Sequence, residues 1–144
     1  MVCLGNICRS PLAEGILQSK VNDDKVFVDS AGTAAYHVGE LPDTRSIEVA
    51  RKYGIDLTNQ RARKFTTKDF ADFDSIYAMD KENYNNILSL ATDASQTEKV
   101  KMILNDTNPQ QNLSVPDPYY GGDEGFENVY QMLDEACEII AKKL

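Results

Sequence analysis

The chain is poor in the residues that mark several common protein classes. Its 144 residues include no Trp, one His and three Cys. A zinc site needs clustered Cys and His ligands and a secreted scaffold needs paired cysteines, so neither is expected here. No apolar run approaches the roughly 20 residues of a membrane span, and no basic segment precedes an apolar one as in a signal peptide. We therefore expect a cytoplasmic protein without membrane contact, metal or other cofactor, whose thiols stay reduced.

Positive charge is also scarce. Fifteen Lys and Arg residues stand against 23 Asp and Glu residues, which gives a formal net charge of −8. Nucleic-acid binding depends on clustered cations that release counterions, so nucleic acid is not an expected partner. The length suits a single domain over residues 1–144, and the composition is that of a globular chain.

Helical and strand-like segments alternate along the sequence. Apolar periodicity predicts helices after Arg9, over 43–53, over 67–73, after Asp80 and over about 126–140. Runs rich in β-formers predict strands at 26–28, 75–79 and 100–104. The alternation predicts a single-domain α/β fold with a mostly parallel, four-stranded sheet covered by helices on both faces. Ligands of such sheets bind beyond the carboxyl ends of the strands.

The segment "VCLGNICRSP" at residues 2–11 has the composition of an anion-binding loop. Ser10 followed by Pro11 predicts a helix start, with Ser10 as the N-cap, so the loop leads into the positive end of a helix. Gly5 and Asn6 tolerate the left-handed backbone that such a loop requires. Inward-pointing N–H groups would then bind a tetrahedral phosphate, and Arg9 would grip two of its oxygens at once.

The same loop contains a candidate nucleophile. Cys3 would face the bound phosphate and the helix N-terminus, which stabilises the thiolate form. A thiolate beneath a phosphoryl group can attack phosphorus in line and form a cysteinyl-phosphate. We therefore interpret Cys3 as catalytic rather than as an ordinary buried thiol.

The leaving oxygen in such a reaction needs a proton donor, and "VPDPYYGGDEG" at residues 115–125 offers one. Asp117 lies between two prolines that restrict its backbone, and the glycines that follow allow the segment to bend. Tyr119 and Tyr120, next to this acid, would form a wall for a flat phenyl ring.

With both segments identified, the sequence resembles the low-molecular-weight protein tyrosine phosphatase family along nearly its whole length, including "DSAGT" at 29–33 and "HVGELPDTRS" at 37–46. The resemblance implies that Cys3 is the nucleophile, that Arg9 stabilises the phosphoryl group and that Asp117 is the general acid and later the base. It implies a phosphotyrosine-containing protein or peptide as substrate, inorganic phosphate as product, and reversible disulfide formation between Cys8 and Cys3. It also implies that Asn6 holds the shape of the loop, that Ser10 hydrogen-bonds the nucleophile and that the substrate ring is gripped by a rim of Leu4, Ile7, Tyr36 and Tyr119. Together with Gly5, Cys8 and Tyr120, these are the residues expected to bind the substrate.

The family has a whole strand before the nucleophile, whereas only Met1 and Val2 precede Cys3 here. We expect either that the sequence starts late or that the first strand is truncated. Three alternatives stay open. An arsenate reductase of the same fold uses two further cysteines, whereas only Cys137 lies outside the loop here. A protein-arginine phosphatase has a smaller Thr where this chain has Ile7. A non-catalytic phosphate-binding module would need neither a thiol nor an acid.

Overall fold

A four-stranded parallel sheet forms the centre of the protein. The structure is a computed structural model that describes the backbone of residues 1–144 and every side chain apart from that of Asp123. The strands are β1 (Val2–Cys3), β2 (Ala31–Gly32), β3 (Ile76–Ala78) and β4 (Val100–Met102), in the spatial order β2-β1-β3-β4. All three pairings are parallel, which confirms the predicted α/β class and strand number. The short strand β1 lies inside the sheet, between β2 and β3.

Helices cover both faces of this sheet, as predicted. They are α1 (Arg9–Lys20), α2 (Thr44–Lys52), α3 (Asp69–Asp72), α4 (Lys81–Leu88), α5 (Ala94–Thr97) and α6 (Asp123–Lys142). Helices α1, α2 and α6 pack together over one face around Leu12, Ile16 and Leu133. On the opposite face Phe70 of α3 and Ile87 of α4 join a second apolar cluster with Val2. None of the helices in the described chain is long and apolar enough to cross a membrane.

Two local predictions were wrong. Residues 26–28 do not form a strand, because β1 begins at Val2 and the register pairs Val2 with Ala31, which leaves 26–28 without a neighbouring strand. Helix α1 begins at Arg9 with Cys8 as its N-cap, so Ser10 does not cap it. The Ser10 hydroxyl is instead engaged with the side chains of the preceding loop, as described next.

Candidate functional site

Residues 3–10, here called the thiol loop, connect the carboxyl end of β1 to helix α1. Asn6 adopts the left-handed backbone expected of it, with φ 57°. Gly5 serves a different purpose from the predicted one: a Cβ there would lie 3.0 Å from Cδ2 of His37, so glycine leaves room for the imidazole ring against the loop. Gly32 of β2 is also required, since its Cβ would lie 2.8 Å from the Leu4 carbonyl oxygen. The loop therefore curls tightly against the end of the sheet.

The Cys3 thiol is buried and surrounded by hydrogen-bond partners. Its Sγ lies 3.0 Å from Ser10 Oγ, and the Asn6 backbone N–H donates to it over 3.3 Å. The Asn6 amide donates to Ser10 Oγ at 2.8 Å and to Ser30 Oγ at 2.9 Å. Because Asn6 already supplies a proton to Ser10 Oγ, the Ser10 hydroxyl is free to donate its own proton to the sulfur. The hydroxyl and the Asn6 N–H thus approach the sulfur from two sides.

Arg9 is 3% exposed and held from two sides. Its Nη1 donates to Asp80 Oδ2 at 2.7 Å and to the Val115 carbonyl at 2.9 Å. Asp80 lies two residues after the end of β3 and also caps helix α4 by accepting the Asn83 N–H. A buried guanidinium held this way is aimed before any ligand arrives, which lowers the entropy cost of binding an oxyanion.

Asp117 lies beside this guanidinium. Its Oδ2 is 3.9 Å from Arg9 Nη2, and its Oδ1 accepts the Tyr119 backbone N–H at 3.0 Å. The carboxylate is partly exposed, with 41% of the side chain accessible. The structure thus brings Asp117 next to Arg9, which lies more than 100 positions earlier in the sequence, in the loop that also contains Cys3.

The residues predicted to form a rim differ in how they are placed. Leu4 is 37% exposed and Tyr119 is 39% exposed, whereas Tyr36 and Tyr120 project into solvent at 76% and 91%. Ile7 and Gly5 are half-buried within the loop itself. The Tyr119 and Tyr120 rings meet edge to face with centroids 5.0 Å apart. An aromatic surface therefore lies next to Asp117, while Tyr36 contributes an exposed ring from another segment.

Cys8 is buried in the same loop, and its environment opposes ionisation. Burial, followed by the negative charge of Asp43, raises the pKa of Cys8 to about 12. Its carbonyl accepts the Ser46 hydroxyl at 3.2 Å. Cys8 is therefore protonated at neutral pH, in a different electrostatic setting from that of Cys3.

Sequence reasoning missed three contributors to this site: Asp80, Ser30 and Gly32. Gly32 ends β2 and Asp80 closely follows β3, at the carboxyl ends where a parallel sheet presents its ligand-binding residues, whereas Ser30 directly precedes β2. That position was the available signal for Asp80, for which the sequence pattern predicts only that a helix follows. Within the described side chains no group of three or more His, Cys, Asp or Glu residues is arranged to hold a metal ion.

The whole chain is similar in sequence to one protein family. A family profile described as low molecular weight phosphotyrosine protein phosphatase matches residues 1–144. The enzyme of that name from Schizosaccharomyces pombe is 44% identical over 99% of this chain and 94% of its own length.

Solved structures agree. A protein tyrosine phosphatase from Entamoeba histolytica with Hepes in its active site superposes with a TM-score of 0.91 at 37% identity, covering 99% of this chain and 92% of that one. An arginine phosphatase from Drosophila superposes with a TM-score of 0.88 at 33% identity, covering 99% and 94%. The fold is therefore shared by proteins whose names specify different phosphorylated side chains.

Proposed function

The chain belongs to the low-molecular-weight phosphotyrosine protein phosphatase family and is a protein tyrosine phosphatase, and we propose that Cys3, Arg9 and Asp117 carry out its reaction within a single domain over residues 1–144. The observation that supports this assignment is the approach of Arg9 Nη2 to Asp117 Oδ2 at 3.9 Å, at the mouth of the loop that contains Cys3. An oxyanion bound by Arg9 would then lie between a nucleophile and a proton donor.

The reaction proceeds in two displacements at phosphorus. The Cys3 thiolate attacks, an S–P bond forms and the P–O bond to the leaving oxygen breaks, while Asp117 donates its proton to that oxygen. Asp117 then removes a proton from water, the water oxygen attacks phosphorus, and the S–P bond breaks to release inorganic phosphate and the thiolate. The Arg9 N–H groups that do not bind Asp80 stabilise the charge on the transferring oxygens in both steps.

The loop's own hydrogen bonds support the first displacement. The Ser10 hydroxyl and the Asn6 N–H stabilise negative charge on Cys3 before attack, at 3.0 Å and 3.3 Å. The same groups stabilise the sulfur again when it leaves, so they serve both steps without movement.

The substrate we propose is phosphotyrosine in a protein or peptide. Leu4, Ile7, Tyr36, Tyr119 and Tyr120 offer apolar and aromatic surface around the buried thiol, which suits a flat ring on a long side chain. A phosphoserine phosphate, on a shorter stem, would not reach Cys3. Ile7 stands where a protein-arginine phosphatase has a smaller Thr, which favours tyrosine over arginine.

The test is a comparison of substrates with a matched inactive variant. Phosphotyrosine, phosphoserine and phosphoarginine peptides of one sequence are given to the parent and to Cys3→Ser, with and without a chelator. We expect turnover of phosphotyrosine alone, unaffected by the chelator and abolished in Cys3→Ser. Comparable rates on phosphoserine, dependence on a metal, or full activity in Cys3→Ser would each contradict the proposal, and faster phosphoarginine turnover would favour the alternative.

We further propose that the site is redox-regulated in a reducing, cytoplasmic compartment. Peroxide converts the Cys3 thiolate to a sulfenic acid, and the Cys8 thiol, losing its proton, displaces water from that sulfur to form a disulfide. Because the pKa of Cys8 is raised to about 12, we expect ring closure to become faster as the pH rises. After peroxide, thiol should restore the parent more completely than Cys8→Ser, and equal recovery would refute a protective role.

A further inference from the structure

The first turn of helix α2 touches both halves of the site. The Asp43 backbone N–H donates to the Ile7 carbonyl at 2.8 Å, which ties the turn to the thiol loop. From the same turn, Arg45 Nη2 donates to the Tyr119 carbonyl at 2.9 Å and Nη1 donates to the Gly121 carbonyl at 3.2 Å. These carbonyls belong to residues 115–121, here called the acid loop. One helical turn therefore links two loops that are more than 100 positions apart in the sequence.

All three nitrogens of the Arg45 guanidinium donate hydrogen bonds. Asp43 accepts from its Nε and Nη2, both at 3.1 Å, while also capping the helix through the Arg45 N–H. The guanidinium carbon lies 4.5 Å from the centroid of the Phe126 ring and 5.6 Å from that of the Tyr119 ring. A planar fork with several donors and two stacking faces can satisfy all these partners at once, whereas a lysine ammonium cannot.

The acid loop has few other restraints next to Asp117. Upstream, Val115 is fixed by its N–H to the Met79 carbonyl at 2.8 Å. Downstream, Pro118 is buried near Gly125. The carboxylate itself is oriented by the Tyr119 N–H, which donates to Asp117 Oδ1 at 3.0 Å. The carbonyl of the same residue, Tyr119, accepts the hydrogen bond from Arg45.

We propose that Arg45 is a positioning residue for the general acid. Its bond to the Tyr119 carbonyl fixes the Tyr119 backbone, whose N–H orients the Asp117 carboxylate. Its bond to Asp43, which is itself bonded to the thiol loop, fixes the position of that carboxylate relative to the loop. This inference rests on the function proposed for Asp117. The consequence is specific: loss of Arg45 impairs protonation of the leaving oxygen and leaves nucleophilic attack intact.

The experiment compares kcat/KM for phenyl phosphate, which has a poor leaving group, with that for para-nitrophenyl phosphate, which has a good one. The variants are Arg45→Ala, Arg45→Lys, Asp117→Asn and the double variant Asp117→Asn with Arg45→Ala. Arg51→Ala is the matched control, because it removes the same charge from an exposed position of the same helix. Thermal unfolding of each variant is measured alongside.

For Arg45→Ala we expect kcat/KM on phenyl phosphate to fall by about 10- to 100-fold, the scale of a catalytic group displaced by about 1 Å. The loss on para-nitrophenyl phosphate should be several-fold smaller, and Arg51→Ala should match the parent. Arg45→Lys should show the same pattern more weakly, and it provides the comparison if Arg45→Ala does not fold. Adding Arg45→Ala to Asp117→Asn should cause no further loss on phenyl phosphate, because the two act through one group.

Equal losses of Arg45→Ala on both substrates, or no loss, would overturn the inference while leaving Asp117 as the acid. If Asp117→Asn itself shows no dependence on the leaving group, the function proposed for Asp117 fails instead. Additive losses in the double variant would show that Arg45 acts independently of Asp117 and would also overturn the inference.

Discussion

The thiol loop and the acid loop achieve their positions in opposite ways. In the thiol loop Cys3, Asn6, Cys8, Arg9 and Ser10 are buried. The side chains of Cys3, Asn6 and Ser10 bond to one another, while Arg9 bonds to Asp80 and to the Val115 carbonyl. In the acid loop only Val115 and Pro118 are buried, and the rest is exposed. The first loop is shaped by its own sequence and by close packing, whereas the second depends on side chains from elsewhere, chiefly Arg45 and Arg9. A loop that binds phosphate can be fully formed before the substrate arrives. A loop that carries a proton donor must also let the substrate enter and the product leave.

The largest effect should come from disturbing the packing under the thiol loop. In Gly32→Ala the new Cβ would lie 2.8 Å from the Leu4 carbonyl, so the loop backbone must move. We expect kcat/KM to fall by about 100-fold on good and poor leaving groups alike, because the phosphate cradle serves every substrate. Gly122→Ala is the control, since its Cβ meets open space. A loss confined to poor leaving groups would remove the distinction between the two loops.

A smaller effect is expected when Asp80, the carboxylate that binds Arg9, loses its charge. Asp80→Asn keeps a side chain able to cap helix α4 but weakens the buried bond to Arg9 Nη1. We expect about a 10-fold loss in kcat/KM, independent of the leaving group, together with weaker inhibition by inorganic phosphate. If phosphate inhibition stays unchanged while kcat/KM falls most on substrates with poor leaving groups, Asp80 would act on the acid loop rather than on the thiol loop.

The smallest effect concerns stability, where two carboxylates should respond to pH with opposite signs. Burial alone would raise the pKa of Asp43, but hydrogen bonds and charge from Arg45 outweigh it and hold the pKa below 3.8. The stability from Asp43 is therefore present above this value and is lost as the pH falls through the lower, folded value. Burial raises the pKa of Glu14 above 4.5, although Ser30 donates to it at 2.6 Å. Its ionisation therefore destabilises the fold as the pH rises through the raised value.

Urea unfolding of Asp43→Asn and Glu14→Gln across acid and neutral pH tests these signs. Asp43→Asn should lower the free energy of unfolding by about 1 kcal/mol at neutral pH and by less in strong acid. Glu14→Gln should be more stable relative to the parent at neutral pH than in acid. Parallel pH profiles for both variants and the parent would show that neither carboxylate is coupled to folding.

The sequence was sufficient to locate the thiol loop because that loop is contiguous, but not to assign Gly5 and Ser10, whose roles depend on His37 and on the Cys3 and Asn6 side chains. It was insufficient for β2, where the small residues Ala31 and Gly32 pair with β1 although 26–28 has the stronger β-propensity. Pairing and close approach decided that strand, and neither is visible from local composition. The roles of Asp80 and Arg45 in the site were not predicted, for a related reason. Their partners Arg9 and Tyr119 are about 70 positions away, and only the folded chain brings them together.

All three cysteines are buried, but Cys8 and Cys137 are held in the unreactive thiol form, which allows functional sites to be counted by labelling. Burial raises the pKa of Cys137 to about 12, as it does for Cys8, and Cys137 Sγ lies 3.7 Å from the Ala13 carbonyl inside the packed helices. At neutral pH a mild alkylating reagent should therefore add a single label to the native chain, at Cys3. The fraction of chains that gain the mass of one adduct would give the fraction of functional sites in a preparation. Added phosphate should lower the labelled fraction in proportion to its occupancy of the loop.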